Sequence, residues 1–305
     1  MVVEDRNNFV DETAGMLKAK RDSLMKKSYR ITIYILLAFW AGYEAHSNKL
    51  FPLGRFIERT FFEKEVVTKL QKKVHAYGDV SKKSEVSCPL EDDAYVIVGF
   101  GQSNSANSAG HRFEANNDIV NFYNGKCYIA IDPLLGATGR RGSVWIPLSE
   151  ELNISNKTIV LSTFGVGGTK VADWLNDEYL MPFYKENIDI LKKVYDKPNA
   201  LVWIQGESDV STSSKVFNQQ IKEWLEILRT DFSVSNIYVT GTSYCHGKSN
   251  DAVLLAQRKQ AENIGAVYVG STDKLAQQSY RYDDCHFSEK GVKALASLIT
   301  TSWIK

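Results

Sequence analysis

The sequence has almost no net charge, no internal repeat and no apolar run long enough to form a regular membrane-spanning helix. Its 305 residues carry 37 Lys and Arg against 36 Asp and Glu, a formal net charge of +1. This balance argues against a nucleic-acid partner attracted by bulk charge. The composition is that of an ordinary globular protein, and the length suits one large domain with additions or two small ones.

The longest uncharged apolar run, Ile31–Tyr43, has 13 residues, fewer than the ~20 that a membrane-spanning helix needs. A cleaved signal peptide is disfavoured, because 30 residues precede the run and no small-x-small cleavage site follows it. A buried helix of the folded domain is a second interpretation. We favour a single signal anchor over residues 30–48, lengthened by Lys27 and Arg30, whose side chains snorkel to the interface.

Basic residues are distributed unevenly around this segment. Six precede it and two follow within a similar distance, so the positive-inside rule keeps the N-terminus in the cytoplasm and exports the rest. We expect a cytoplasmic tail at 1–29, the anchor at 30–48, a helical stalk and linker at 49–91 and a domain at 92–305 in the periplasm, a lumen or the extracellular space. The basic residues are Lys18, Lys20, Arg21, Lys26, Lys27 and Arg30 before the anchor, and Lys49 and Arg55 after it.

All four cysteines, Cys88, Cys127, Cys245 and Cys285, lie after the predicted anchor. An even number in an exported domain allows two disulfides, with three possible pairings. We expect Cys245 to pair with Cys285, because both follow late strands that end at the same sheet edge. Four free, partly buried thiols are the alternative.

From about residue 92, apolar runs alternate with amphipathic segments five times. Most of the runs are unbroken, as expected when helices cover both faces of a parallel sheet. The segment 105–152 is rich in Gly, Asn and Arg and receives no assignment. The predicted strands are Ala94–Phe100, Thr158–Phe164, Ala200–Gln205, Ile237–Thr242 and Ala266–Gly270, and the predicted helices are Met181–Tyr195, Lys215–Asp231, Asp251–Ile264 and Ser288–Trp303.

Four polar motifs follow, or closely follow, four of these strands. In an open α/β sheet, ligands bind at the carboxyl ends of the strands, so the motifs are expected to meet there. Each motif by itself is interpretable as a turn, a helix cap or a solvated loop, but this does not explain their shared position. The motifs are Gly101-Gln102-Ser103-Asn104, Gly165-Val166-Gly167-Gly168-Thr169, Trp203-Ile204-Gln205-Gly206-Glu207-Ser208-Asp209 and Asp283-Asp284-Cys285-His286.

Together the motifs supply the residues for acyl transfer through a serine. Ser103 is placed to act as nucleophile, and His286 as the base that later returns the proton to the leaving group. Asp283, three residues before His286, can hold the imidazole in one tautomer and orientation. The N–H groups of Ser103 and Gly167 and the side-chain amide of Gln205 can donate to a developing oxyanion.

In the order Gly-Gln-Ser-Asn, Gly-Gly-Thr, Gln-Gly-Glu-Ser-Asp and Asp-x-x-His-Phe, the chain resembles the SGNH hydrolases, and within them the sialate O-acetylesterases and carbohydrate esterase family 6. The resemblance covers roughly residues 93–305. It implies a flavodoxin-like α/β/α sandwich with a five-stranded parallel sheet. It also implies a Ser–His–Asp triad that removes acetyl groups from a carbohydrate, of sialic acid type or from a cell-envelope polysaccharide, with no metal or other cofactor.

Carried over by position, the resemblance gives the roles above to Ser103, His286, Asp283, Gly167 and Gln205. Glu207 lies in the Gln-Gly-Glu motif and either supports the site or competes as the acid partner of the histidine. The other residues expected to support the site or contact substrate are Gln102, Asn104, Gly168, His111 and Arg112.

The sequence departs from the family pattern at two positions. Ile204 precedes Gln205 where family members often have His, and Ser105 follows Asn104 where Met is frequent. Both changes are expected to alter the substrate pocket.

Three competing interpretations were weighed. A zinc site at Cys245-His246 and Cys285-His286 is disfavoured, because adjacent residues in an extended loop point to opposite sides and the usual spacing between ligands is missing. An O-acyltransferase would use the same triad and pass the acyl group to a sugar in place of water. A catalytically inactive sugar-binding module is disfavoured, because the serine, histidine and aspartate are all present.

Overall fold

The computed structural model describes residues 78–115, 118–232 and 236–303. The predicted tail, the anchor and most of the predicted stalk, residues 1–77, lie outside this part of the chain, so their boundaries stay predictions. Within the described ranges, no helix combines the length and the apolar character that crossing a bilayer requires.

An eight-stranded mixed sheet forms the centre of the described fold. Across the sheet the order is β1-β4-β3-β5-β2-β6-β7-β8. The six strands from β3 to β8 in this order are parallel, whereas β4 is antiparallel to both of its neighbours. The strands are β1 (Glu85–Val86), β2 (Ala94–Gly101), β3 (Ile119–Tyr123), β4 (Lys126–Ile129), β5 (Thr158–Thr163), β6 (Ala200–Ile204), β7 (Ile237–Gly241) and β8 (Val267–Ser271).

All five predicted strands are present, as β2, β5, β6, β7 and β8, and all five are parallel. Their order across the sheet, β5-β2-β6-β7-β8, is the flavodoxin-like order, in which ligands bind where the strand order reverses. That point lies between β2 and β6. The prediction of a five-stranded sheet was nevertheless incomplete, because β3, β4 and β1 extend one edge.

The added strand β3 was missed because a buried polar residue interrupts its apolar run. Asn121 lies in the middle of the strand and is 1% exposed. Its side chain accepts a hydrogen bond from the N–H of Leu135 at 2.6 Å and donates to the carbonyl of Leu161 at 3.1 Å. Such bonds offset the cost of burying an amide, so the strand forms despite its pattern.

The segment just before β2 also belongs to the sheet, although the sequence assigned it to a linker. Residues 85–86 pair with β4 at the sheet edge. A disulfide joins Cys88 to Cys127 within β4. Because residues 85–88 are hydrogen-bonded and covalently fixed to the sheet, they are part of the folded domain.

Helices cover both faces of the sheet. Helices α2 to α5 pack on the face that receives Val96, Val98 and Phe100 of β2, whereas α1 and α6 pack on the face that receives Ile97. Helices α3 to α6 correspond to the four predicted helices. The helices are α1 (Trp145–Leu152), α2 (Val171–Asn176), α3 (Leu180–Lys192), α4 (Ser214–Phe232), α5 (Asp251–Asn263) and α6 (Glu289–Thr301).

The last apolar residue of β2 lies at the centre of an aromatic cluster. The ring of Phe100 stacks on that of Phe164 at 4.6 Å and meets the ring of Trp203 edge-on at 4.9 Å. Aromatic pairs add about 0.5–1.5 kcal/mol each beyond the burial of their surface. The position of β2 is therefore well fixed immediately before the turn that carries Ser103.

Candidate active site

The turn after β2 holds Ser103 in a conformation that depends on glycine. Gly101 has a φ of +137°, and a Cβ on it would lie 2.0 Å from the carbonyl oxygen of Ile204 in β6. The N–H of Gln102 donates to the same carbonyl at 3.1 Å. A 3₁₀ turn then starts at Ser103, which is 8% exposed. The close approach of β2 to β6 thus delivers the serine to the point where the strand order reverses.

His286 and Asp283 form a local pair in the loop between β8 and α6. The Nδ1 atom of His286 lies 2.7 Å from Oδ2 of Asp283. The other carboxylate oxygen accepts the backbone N–H groups of His286 at 2.7 Å and Cys285 at 3.1 Å. Three hydrogen bonds from one short loop fix the carboxylate and, through it, the imidazole.

The same contacts set the charge state of Asp283. Burial by itself raises the pKa of this carboxyl, but the hydrogen bonds from His286 and Cys285 and the nearby imidazole lower it more. The net result is a pKa below the ordinary value of an aspartate, because these groups favour the charged form. Asp283 is therefore an anion over the whole neutral range.

Ser103 and His286 line the same cleft, of about 510 Å³. Among the described residues the Ser103 hydroxyl makes no hydrogen bond; such bonds often tighten only when substrate is present. The Ser103 N–H likewise has no acceptor in the described part of the chain. The other lining residues are Gln102, Ser108, Thr138, Gly139, Gly167, Gly168, Glu207, Ser208, Cys245, His246 and Cys285.

Gln205 does not reach this cleft, which corrects its predicted role as an oxyanion donor. Its side chain is fully buried. Its amide nitrogen lies 3.0 Å from Oε1 of Gln102, 2.6 Å from the carbonyl of Thr169 and 3.0 Å from Oδ2 of Asp209. An amide nitrogen has two N–H groups, and both are already committed. Gln205 therefore joins the turns after β2, β5 and β6 from below.

Asp209 belongs to the same buried network. Its carboxylate also accepts the N–H of Val171, at 3.2 and 3.3 Å from the two oxygens. Burial raises the pKa of Asp209 to about 7, although the hydrogen bonds from Gln205 and Val171 oppose the shift. A carboxyl with this pKa changes charge near neutral pH beneath the candidate site.

Asn104 and Glu207 support the site and do not contact the histidine side chain. The Asn104 amide donates to Oε1 of Glu207 at 2.5 Å and to the carbonyl of Cys285 at 3.2 Å. Glu207 is 3% exposed, and burial raises its pKa. Since Asp283 holds Nδ1 of His286, Glu207 is not the acid partner in this arrangement.

His111 and Arg112 were expected to contact substrate, but neither lines the cleft. His111 lies 3.6 Å from the carboxylate of Glu289 and packs against Phe113. The guanidinium of Arg112 donates to the backbone carbonyl of Arg140. Both side chains instead hold the outer loop together.

The two departures from the family pattern also lie away from the cleft. Ile204 is fully buried among the core residues on the α1 and α6 face. Ser105 is fully buried, and its hydroxyl donates to the carbonyl of Gln102 at 2.7 Å. The expectation that these residues shape the pocket is therefore corrected.

The predicted pairing of Cys245 with Cys285 is confirmed, and this disulfide lines the cleft next to His286. It connects the loop after β7 to the loop after β8. The cysteine sulfurs and the ring of His246 lie within 4.8 Å of one another. The bond between the sulfurs uses both thiols that a zinc site would need.

Two residues of the site carried no recognisable signal in the sequence. Thr138 lies in the unassigned segment before α1 and lines the cleft beside Gly167. Arg281 is fully buried, donates to the carbonyls of Leu275 at 3.0 Å and of Cys285, and packs over the ring of Phe287. Only the glycines on both sides of Thr138 indicate a tight loop there.

Comparison with known proteins places the chain. A family model described as carbohydrate esterase, sialic acid-specific acetylesterase, matches residues 142–305. That range includes the histidine loop and the motif after β6, but not the turn that carries Ser103. No curated protein sequence is similar enough to match the chain.

Solved structures share the fold. A protein from Arabidopsis thaliana superposes with a TM-score of 0.55 at 18% identity, covering 69% of this chain and 96% of its own. NanS gives a TM-score of 0.45 at 14% identity, covering 70% and 97%. A family 3 carbohydrate esterase from Clostridium thermocellum gives 0.44 at 11% identity, covering 68% and 94%.

The mixed sheet with helices on both faces, and a cleft at its carboxyl edge, define an α/β hydrolase-like protein. The chain belongs to the carbohydrate esterase family of sialic acid-specific acetylesterases. It is a carbohydrate acetylesterase.

Proposed function

We propose that this protein is a serine esterase that removes O-acetyl groups from a carbohydrate through Ser103, His286 and Asp283. One observation carries the proposal. Ser103 and His286 line one cleft, and Nδ1 of His286 is held by Asp283 at 2.7 Å. A neutral imidazole fixed in this way keeps a proton on Nδ1 and leaves Nε2 free to accept one.

The proposed reaction has two steps. The Ser103 oxygen attacks the acetyl carbonyl carbon while Nε2 of His286 takes the hydroxyl proton. The tetrahedral intermediate collapses, the bond to the sugar oxygen breaks, and His286 returns its proton to that oxygen, releasing the sugar and leaving acetyl-Ser103. Water, deprotonated by the same histidine, then attacks the acetyl group and releases acetate and the free serine.

The substrate in this proposal is an acetylated carbohydrate of sialic acid type or from a cell-envelope polysaccharide. The family description supports a sialic acid ester. We also propose that the reaction takes place outside the cytoplasm, with the chain held at the membrane by residues 30–48. The two disulfides support export, because such bonds persist in oxidising compartments.

The test is hydrolysis of p-nitrophenyl acetate by the purified full-length protein and by Ser103→Ala. We expect the variant to lose nearly all turnover and a fluorophosphonate probe to label the wild type at Ser103. Ser108→Ala is the matched control, because Ser108 lines the same cleft and should leave both signals intact. Wild-type turnover by Ser103→Ala would contradict the proposal.

A second measurement separates an esterase from an O-acyltransferase. Acetate release is followed with and without a free sugar acceptor. An esterase releases acetate at the same rate in both, whereas a transferase releases less acetate and forms an acetylated acceptor.

A further inference from the structure

The hydroxyl of Thr138 lies between the predicted oxyanion donor and the cleft. The N–H of Gly167 donates to Oγ1 of Thr138 at 2.8 Å. The predicted donor is therefore already engaged by a side chain that lines the same cleft as Ser103. Either the hydroxyl obstructs the oxyanion hole or it is part of it.

The position of this hydroxyl relative to the serine is defined by Gly167. A Cβ built on Gly167 would lie 3.4 Å from Oγ1 of Thr138 and 3.5 Å from Cβ of Ser103. The hydroxyl and the nucleophilic side chain thus both lie against one face of this glycine. A carbonyl oxygen of an ester bonded to Ser103 would lie in the same small space.

Backbone hydrogen bonds fix Thr138 to the two loops that carry these groups. Its N–H donates to the carbonyl of Gly165 at 2.9 Å, and its carbonyl accepts the N–H of Asn107 at 2.8 Å. The Asn107 side chain also binds the preceding residues of the loop, through the carbonyls of Leu134 and Ala137. The hydroxyl is therefore positioned before substrate binds, as electrostatic catalysis requires.

The hydroxyl has a proton left to donate. A threonine hydroxyl is one donor and accepts through two lone pairs. Thr138 uses a lone pair for Gly167, and within the described residues its proton has no acceptor. Thr138 is 6% exposed, so this donor faces the cleft from a nearly dry position where hydrogen bonds to charge are strong.

We propose that Thr138 is a further catalytic residue, whose hydroxyl donates a hydrogen bond to the oxyanion of the tetrahedral intermediate. This proposal rests on the proposed acyl transfer at Ser103. The N–H of Gly167 then acts through the hydroxyl, orienting it and polarising its O–H bond. The oxyanion hole consists of the Ser103 N–H and the Thr138 hydroxyl, and the second takes the place assigned earlier to Gln205.

The experiment compares Thr138→Val with Thr138→Ser in the full-length protein. Valine keeps the shape, removes the hydroxyl and frees the N–H of Gly167, whereas serine keeps the hydroxyl. We expect kcat for p-nitrophenyl acetate to fall about 10²-fold or more in Thr138→Val, as for other lost oxyanion donors. We expect KM to stay within a few-fold, and Thr138→Ser to stay near wild type.

Inhibition by a small boronic acid gives a readout that a merely structural role would not change. Boronic acids form a tetrahedral adduct with a catalytic serine and resemble the transition state. Thr138→Val should weaken this inhibition by about the same factor as kcat/KM. If the valine variant does not fold, Thr138→Ala and Thr138→Ser provide the same comparison.

The outcomes are distinguishable from failure of the proposed function. Thr138→Val with kcat equal to or above wild type, while Ser103→Ala is inactive, overturns the role of Thr138 alone and shows that the hydroxyl only covered Gly167. Wild-type turnover by Ser103→Ala overturns the proposed function itself.

Discussion

The side-chain amide of Asn104 donates a hydrogen bond of 3.2 Å to the backbone carbonyl of Cys285. The residue after the proposed nucleophile thus holds the residue before the proposed base. The other amide contact, to Glu207 at 2.5 Å, fixes the direction of this donor. The distance between Ser103 and His286 therefore depends on a side chain that touches no substrate.

We predict that Asn104→Ala lowers kcat at least about 10-fold, because small displacements of reacting groups are costly. It also leaves the buried Glu207 carboxyl without its partner, which costs about 1–3 kcal/mol of stability. Steady-state kinetics and urea unfolding measure the two effects. Asn199→Ala is the control: Asn199 binds the Val96 N–H at the opposite end of the sheet, so it should lose stability and keep kcat. A variant of Asn104 with unchanged kcat contradicts this role.

The two disulfides allow a matched comparison, because their sequence separations are 39 and 40 residues. In the chain-entropy account each contributes about 4 kcal/mol, so removing either pair by Cys→Ala should lower stability by a similar amount. Only removal of Cys245–Cys285 should lower kcat in the folded protein, because this bond holds the loop of His286. Equal kcat values for the two double variants would refute the local role.

The pH dependence of kcat/KM should report His286 and not Asp283. The pKa of Asp283 lies below its ordinary value of 3.8, so this carboxylate stays ionised from pH 5 to 8 and its stabilising contact is lost only in stronger acid. Activity should then fall with a slope of one on the acid side as His286 takes up a proton. Asp283→Asn should lose about 10²-fold or more in kcat. A flat wild-type profile from pH 5 to 8 is incompatible with His286 as the base.

Stability should fall as the pH rises from about 4 to 7, in part because of Asp209. The folded-state pKa of this group is about 7, against a model value of 3.8. In this window the unfolded chain has released the proton and the folded chain retains it, so raising the pH favours unfolding. Asp209→Asn should therefore show a smaller loss of urea midpoint between pH 5 and 8 than wild type. An identical loss in both proteins contradicts the raised pKa.

The sequence predicted those parts of the site that each depend on one strand and the turn after it. Ser103 and His286 were found because each belongs to a polar motif beyond an apolar run, and Cys245 pairs with Cys285 because β7 and β8 are neighbours. Thr138 was missed because no apolar run precedes its loop. The polar Asn121 in β3 also hid the strands that support that loop.

Gln205 shows a different limit. Its motif was found, but the direction of its amide depends on Gln102, Thr169 and Asp209, which come from three separate turns. Sequence spacing does not specify which acceptors surround a side chain once the strands are assembled. Residue types were therefore predictable at this site, and the orientation of hydrogen-bond donors was not.

The disulfide between Cys88 and Cys127 also determines how the domain bears a mechanical load. Five residues separate Cys88 from the start of β2, the strand that ends at Ser103. Without the disulfide, tension applied at residue 84 would break the two-residue pairing of β1 and then pull directly on β2. With it, the load passes into β4 at the edge of the sheet. The bond thus serves as strain relief, and the nucleophile's strand stays unloaded when the chain is pulled from its N-terminal side.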